Sequence, residues 1–202
     1  MLLGPQYALL RPEFAQWRVT SLAHRQSPEL RHILVTMGGV DRDNVTERVL
    51  TGLHRCRLPT LEKITVVMGL HAPWHDAVIA AAAGMKIQTV VLSDVDQMAE
   101  LMSTCDLAIG AGGTTTLERC SLGLPSVLLI LADNQLNIVE HMVEADAAFA
   151  IGDLDSLETS LVEFLESFAL SNKMAIYAQN SSDLLDANGV VRTIAKLLGH
   201  NG

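Results

Sequence analysis

Short apolar runs recur along the chain, and after most of them the apolar positions return every three or four residues. The runs lie at 32–37, 63–69, 87–92, 106–110, 125–131 and 147–152, and their lack of polar alternation predicts six buried strands. The intervening stretches 41–56, 73–84, 96–105, 115–123 and 134–145 predict helices, with Gly84 and Gly123 placed to end two of them. Helices also fill the remainder, with a break at Gly189 before 190–198. Residues 1–31 carry Gly4, Pro5, Pro12 and Pro28 among polar residues and are read as an irregular interdomain linker; 32–202 are read as one domain.

Strands that are apolar throughout, each leading into a helix, indicate a parallel sheet covered on both faces. The predicted fold is a doubly wound parallel α/β sheet of about six strands. Ligands of such sheets sit beyond the carboxyl ends of the strands. Both glycine clusters, Gly38-Gly39 and Gly110 to Gly113, fall at those ends.

Composition narrows the function. The net charge of −9 disfavours nucleic acid and anionic membrane as partners, while leaving room for one small anion held by backbone N–H groups. Three cysteines without a CxxC pair read as reduced thiols, and the seven histidines form no HExxH frame, so neither a metal nor a cofactor is expected. No apolar stretch reaches membrane-span length and no signal peptide opens the sequence, which points to a soluble cytoplasmic domain.

Around Gly110 the chain reads Leu-Ala-Ile-Gly-Ala-Gly-Gly-Thr-Thr-Thr-Leu-Glu. Glycines let main-chain amides approach a ligand, a following helix start favours phosphate, and threonines add uncharged donors. Gly112 is expected to face the ligand, so that valine there would block binding and spare the fold. Both loops are also readable as plain strand-to-helix turns. Glu118 fits a capping box with Thr115 or, at the mouth of the loop, a ribose diol acceptor; spacing leaves both open. The loop is a near miss of the dinucleotide fingerprint, with Asp133 about twenty residues on, but it follows the fourth predicted strand, not the first. The Walker pattern GxxxxGK[ST] is absent.

The stretches "DLAIGAGGTTTLERCSLGLPSVLLILADNQ" and "ILVTMGGVDRDN", with "LLGPQYALLRPEF" at 2–14, resemble the carboxyl-terminal half of the UDP-sugar hydrolases of pseudaminic acid biosynthesis, a family that includes spore-coat polysaccharide proteins. More broadly they are similar to GT-B enzymes, among them the GlcNAc transferase of peptidoglycan synthesis. The resemblance implies a Rossmann-like domain that binds UDP or a UDP-sugar, from which the whole enzyme releases UDP. It implies that Gly112, Gly113, Thr114, Thr115 and Thr116 line the diphosphate and that Glu118 holds the ribose. Main chain around Val95 and Met98 would meet the uracil, Asn134 and Gln135 a phosphate or the sugar, and the Gly38-Gly39 loop would close over the pyrophosphate. Met98 also fits a core position, and Asn134 a helix cap. The family's amino-terminal half, with its GxGHxxR stretch, has no counterpart in this sequence. No catalytic residue is therefore expected here; the partner would be that half, and the face left by it could self-associate. The donor domain of a UDP-sugar glycosyltransferase and a non-catalytic or NAD-binding module are the alternatives.

Overall fold

The computed structural model describes residues 4–199. Six strands, β1 (His32–Thr36), β2 (Lys63–Met68), β3 (Gln88–Ser93), β4 (Leu107–Ala111), β5 (Ser126–Leu129) and β6 (Ala148–Ile151), form one parallel sheet. Their order is β3-β2-β1-β4-β5-β6. All six lie where the apolar runs place them. The helices are α1 (Pro12–His24), α2 (Val45–Arg55), α3 (His75–Ala83), α4 (Met98–Thr104), α5 (Thr115–Ser121), α6 (Leu136–Glu144), α7 (Leu157–Ala169), α8 (Lys173–Leu184) and α9 (Gly189–Leu197).

Neighbouring residues of one strand feed different cores, which is why the strands show no polar alternation. In β1, Ile33 and Val35 enter a core shared with α2, α3 and α7, while Leu34 faces a second core with Phe14 of α1 and Met102 of α4. In β5, Val127 and Leu129 join the first core, and Leu128 packs with Val139 and Met142 of α6. Gly123 closes α5 in a left-handed conformation (φ +62°), with Leu124 N–H returning to Arg119 O at 3.0 Å, as a Schellman motif does.

The irregular reading of residues 1–31 is overturned over Pro12–His24, which form α1; residues 1–3 of that span lie outside the described residues. Pro12 stands at the first helical position of α1, where its missing N–H costs nothing. The inward stripe of α1 is Phe14, Trp17, Arg18 and Ser21, continued by Arg25 just past its end, and three of these five are polar, so no apolar periodicity announces the helix. Arg18 and Arg25 act as caps for other helices. Arg25 donates to Met102 O (3.1 Å), Cys105 O (3.1 Å) and Ser103 O (3.4 Å) at the end of α4. Arg18 reaches Ser121 O at the end of α5, and Ser182 O (2.7 Å) and Leu185 O (2.9 Å) at the end of α8. Cations at helix carboxyl ends satisfy orphan carbonyls and oppose the helix dipole. Burial pushes Arg25 down to about 10, against the pull of Asp106, a value at which it still carries its charge at neutral pH. Arg25→Ala is expected to cost about 3 kcal/mol, since it strands buried carbonyls; urea denaturation measures it.

Gly189 is not a break but the first residue of α9, and a Cβ there would lie 2.1 Å from Ala8 O. The glycine admits the amino-terminal segment that follows a 3₁₀ turn at Pro5–Tyr7.

Candidate functional site

Strand order reverses between β1 and β4, and a cavity of about 280 Å³ opens beyond their carboxyl ends. It is lined by Gly38 and Gly39 after β1, Gly69 after β2, Val95 and Met98 at the start of α4, and Thr115 and Glu118 of α5, with Arg11 at the rim. Six of the residues singled out from the sequence thus meet around one space. Gly112, Gly113, Thr114, Thr116, Asn134 and Gln135 do not line it.

The glycine loop divides into packing and open positions. A Cβ on Gly110 would lie 2.3 Å from Thr36 O and 2.6 Å from Arg119 Nη1, and one on Gly112 would lie 2.3 Å from Val139 Cγ2. Gly112 N–H is already given to Leu129 O at 3.0 Å. Gly112 is therefore glycine to admit α6, and the expectation that valine would spare the fold is overturned. Thr116 is corrected as well: it is buried, its N–H bonds Gly113 O, and its hydroxyl accepts from Arg119 Nη2 at 3.3 Å. Gly113 has open space around it. The N–H groups of Gly113, Thr114 and Thr115 have no acceptor among the described residues and sit in the less buried part of the loop.

The first loop is arranged differently. Gly38 takes φ +89°, and Gly39 packs so closely on Gly69 that a Cβ there would lie 2.0 Å from Gly39 O. The start of α2 is not free: the Asp41 carboxylate accepts from Val45 N–H (2.8 Å) and Thr46 N–H (3.0 Å). That carboxylate neutralises the amide end of α2, so of the two helix starts expected to draw an anion, this one is already occupied. Gly69 was not among the residues singled out, although it ends the second apolar run. Gly69→Ala is expected to lift the Gly38-Gly39 loop and weaken any ligand held under it, by about tenfold if one charge-assisted bond is lost. Titration of UDP against the variant measures the effect.

Glu118 is not a capping-box residue. Thr114 occupies the cap position of α5 without a side-chain cap bond, which puts Glu118 one place too far along. Its carboxylate is 22% exposed and stands 3.6 Å from Arg11 Nη2. Burial, and then the charge of Glu13, push Glu118 above the ordinary carboxylate range, against the pull of Arg11 and Arg119. A partly buried acceptor held only by a long ion pair with Arg11 can turn to a ligand's hydroxyls. Val95 and Met98 are half-buried, packed against the core on one side and open to the cavity on the other, so the core reading of Met98 holds in part. Asn134 is exposed in a 3₁₀ turn and caps nothing, while Gln135 Oε1 accepts from Leu131 N–H at 2.9 Å.

A wider groove of about 640 Å³ lies on the other side of α5, lined chiefly by apolar residues such as Leu117, Ile138, Met142 and Leu184. It lacks the converging polar groups of the switch-point cavity. Cys56, Cys105 and Cys120 are unpaired, and burial pushes each up to about 12, which makes them poor nucleophiles. Among the described residues no group of His, Cys, Asp and Glu has metal-site geometry, and no helix is long and apolar enough to cross a membrane.

This sheet order with a glycine loop at its reversal defines a Rossmann-like domain that takes ligands beyond its strand ends. Residues 32–196 match the glycosyltransferase family 28 C-terminal domain, and the chain belongs to that family. The spore coat polysaccharide biosynthesis protein SpsG of Bacillus subtilis is 26% identical over 199 residues, 96% of this chain and 57% of that protein. The UDP-N-acetylglucosamine–N-acetylmuramyl-(pentapeptide) pyrophosphoryl-undecaprenol N-acetylglucosamine transferase of Sorangium cellulosum is 30% identical over 124 residues, 58% of this chain and 31% of that one. MurG of Acinetobacter baumannii superposes with a TM-score of 0.74 at 17% identity, over 98% of this chain and 56% of its own, and shows the fold to be GT-B-like. The chain thus spans little more than half of SpsG and of MurG. The family is one of glycosyltransferases, a coarser grouping than the hydrolases its motifs resemble.

Proposed function

We propose that this domain binds the UDP portion of a sugar nucleotide as the donor-binding part of a GT-B glycosyltransferase. The observation that carries the reading is the meeting of Gly38, Gly39, Val95, Met98, Thr115 and Glu118 around one cavity at the strand reversal. The free amides of Gly113, Thr114 and Thr115 take the diphosphate, which explains how an acidic protein can hold an anion. Glu118 accepts from the ribose hydroxyls, and main chain at Val95 and Met98 meets the uracil. The Gly38-Gly39 loop covers the pyrophosphate, and Asn134 and Gln135 lie toward the sugar. A second domain supplies the acceptor and the catalytic base.

The match to SpsG covers 96% of this chain and so extends over most of residues 1–31, which the family-wide match omits, and it supports a second reading. There the sugar, a diacetamido-trideoxy hexose, passes to water instead of a hydroxyl acceptor, and the chain is half of a UDP-sugar hydrolase. Both readings share the UDP site.

Thermal denaturation with UDP and with NAD tests that site. UDP at 100 times its dissociation constant adds about 2.7 kcal/mol and raises the melting temperature, while NAD leaves it unchanged. Stabilisation by NAD and not by UDP would replace the reading with a dinucleotide-binding one. This domain alone is expected to release no UDP from a UDP-sugar.

A further inference from the structure

Arg119 is the largest fully buried side chain of the molecule's described residues, 1% exposed, and it lies directly beneath the glycine loop. Its guanidinium ties the two ends of that loop together. Nη2 donates to Ala111 O at 2.7 Å and to Thr116 Oγ1 at 3.3 Å, and Nε donates to Thr115 O at 3.3 Å. Nη1 has no partner among the described residues, although it is shut off from solvent. It rests beside Gly110, at the point where Thr36 of β1 and Gly110 of β4 pair. Gly110 is glycine partly to make room for it.

A buried cation is costly unless a counter-charge stands nearby. Among the described residues no carboxylate lies within 4.0 Å of Arg119. Glu118, next in sequence, turns toward Arg11 at the cavity instead. Burial alone pulls Arg119 down to about 10, a value at which it still carries its charge at neutral pH. The protein therefore keeps a positive charge with no carboxylate paired to it, offset only at longer range by Glu118, under a loop whose outer amides are themselves unpaired.

Resting on the reading of the cavity as a UDP site, we infer that Arg119 is a positioning residue for the diphosphate. It braces the loop between Ala111 and Thr115, and it draws its counter-charge from the ligand's phosphates through the loop without touching them. The field of one buried charge acts across a few ångströms of protein, where its effect on an anion is far greater than in water. Its mark is therefore a dependence on ligand charge: it strengthens binding of UDP and leaves uridine nearly unaffected.

The test compares the affinities of UDP, UMP and uridine for wild type, Arg119→Lys and Arg119→Met by calorimetry. The ratio of UDP to uridine affinity does not depend on the fraction of protein that is folded. In Arg119→Met that ratio is expected to fall about tenfold, with UMP intermediate, as loss of a charge at this range predicts. Arg119→Lys, which keeps the charge, is expected to restore most of it. A ratio within about twofold of wild type in Arg119→Met overturns the inference, and so does a lysine variant that falls as far as the methionine one, since bracing would then be the whole role. Should the methionine variant not fold, the Nε resonance of Arg119 in wild type decides: it shifts on adding UDP but not uridine, and an unmoved signal overturns the inference. Wild type that binds no UDP removes the UDP reading itself, and this inference with it; wild type that binds UDP with an unchanged ratio in the methionine variant removes the inference alone.

Discussion

Gly110→Ala is expected to lower the stability of this domain by about 3 kcal/mol and its melting temperature by about 10 °C, a larger effect than most surface substitutions anywhere in a protein. The reason is geometric. A methyl group at 110 would lie 2.3 Å from Thr36 O, a main-chain atom in the adjoining strand, and 2.6 Å from Arg119 Nη1. Neither can withdraw: Thr36 is paired with Gly110 in the sheet register, and the guanidinium is enclosed. Relief requires β1 and β4 to separate at the centre of the sheet. Gly113→Ala is the control, because nothing stands within 4 Å of its added methyl; it is expected to stay within about 0.5 kcal/mol of wild type. Thermal and urea denaturation of the two variants compare them. Equal melting temperatures for Gly110→Ala and wild type would show that the strands tolerate the intrusion.

Glu118→Gln is expected to weaken UDP binding by about tenfold to a hundredfold while leaving the fold as stable or slightly more so. The two effects have one cause. Burial raises the carboxyl of Glu118 above its usual range. A carboxyl raised on folding stabilises the protein below its unfolded pKa, and this contribution disappears as pH rises through the folded value. At neutral pH its ionised form is therefore a burden on folding that glutamine lifts. The same carboxylate is the stronger acceptor for two ribose hydroxyls, so UDP affinity should decline on acidification at a higher pH than an ordinary glutamate would cause. Calorimetry with UDP and 2′-deoxy-UDP checks the role: the gap between wild type and variant should narrow with the deoxy ligand. A variant that loses stability without losing affinity would mark Glu118 as a structural residue.

The sheet was legible because the four central strands are buried on both faces and the edge strands β3 and β6 still carry apolar runs. Helix α1 was not, because what it buries includes Arg18, Ser21 and Arg25, whose partners are carbonyls of α4, α5 and α8 many residues away. Pro12, taken alone, reads as an interruption where it is a starting point. Within the cavity, the two glycine loops were visible from their place after apolar runs, whereas Val95 and Met98 entered through family resemblance. Spacing marked Gly112 as special but could not show that Val139 is the neighbour it accommodates. Arg119 went unnoticed because a charged residue in a short helical stretch ordinarily faces water. Gly69 matters through its contact with Gly39, thirty positions earlier, which periodicity does not reveal.

The unpaired nitrogens at 113–115 have a bearing on how this protein is dissected. Peptide nitrogen survives conversion of any of these residues to alanine, so systematic truncation of side chains would pass over the loop's unpaired donors and report the loop as dispensable. Proline or an ester linkage at Thr114 or Thr115 removes the hydrogen itself, and such backbone edits are the means of interrogating this rim.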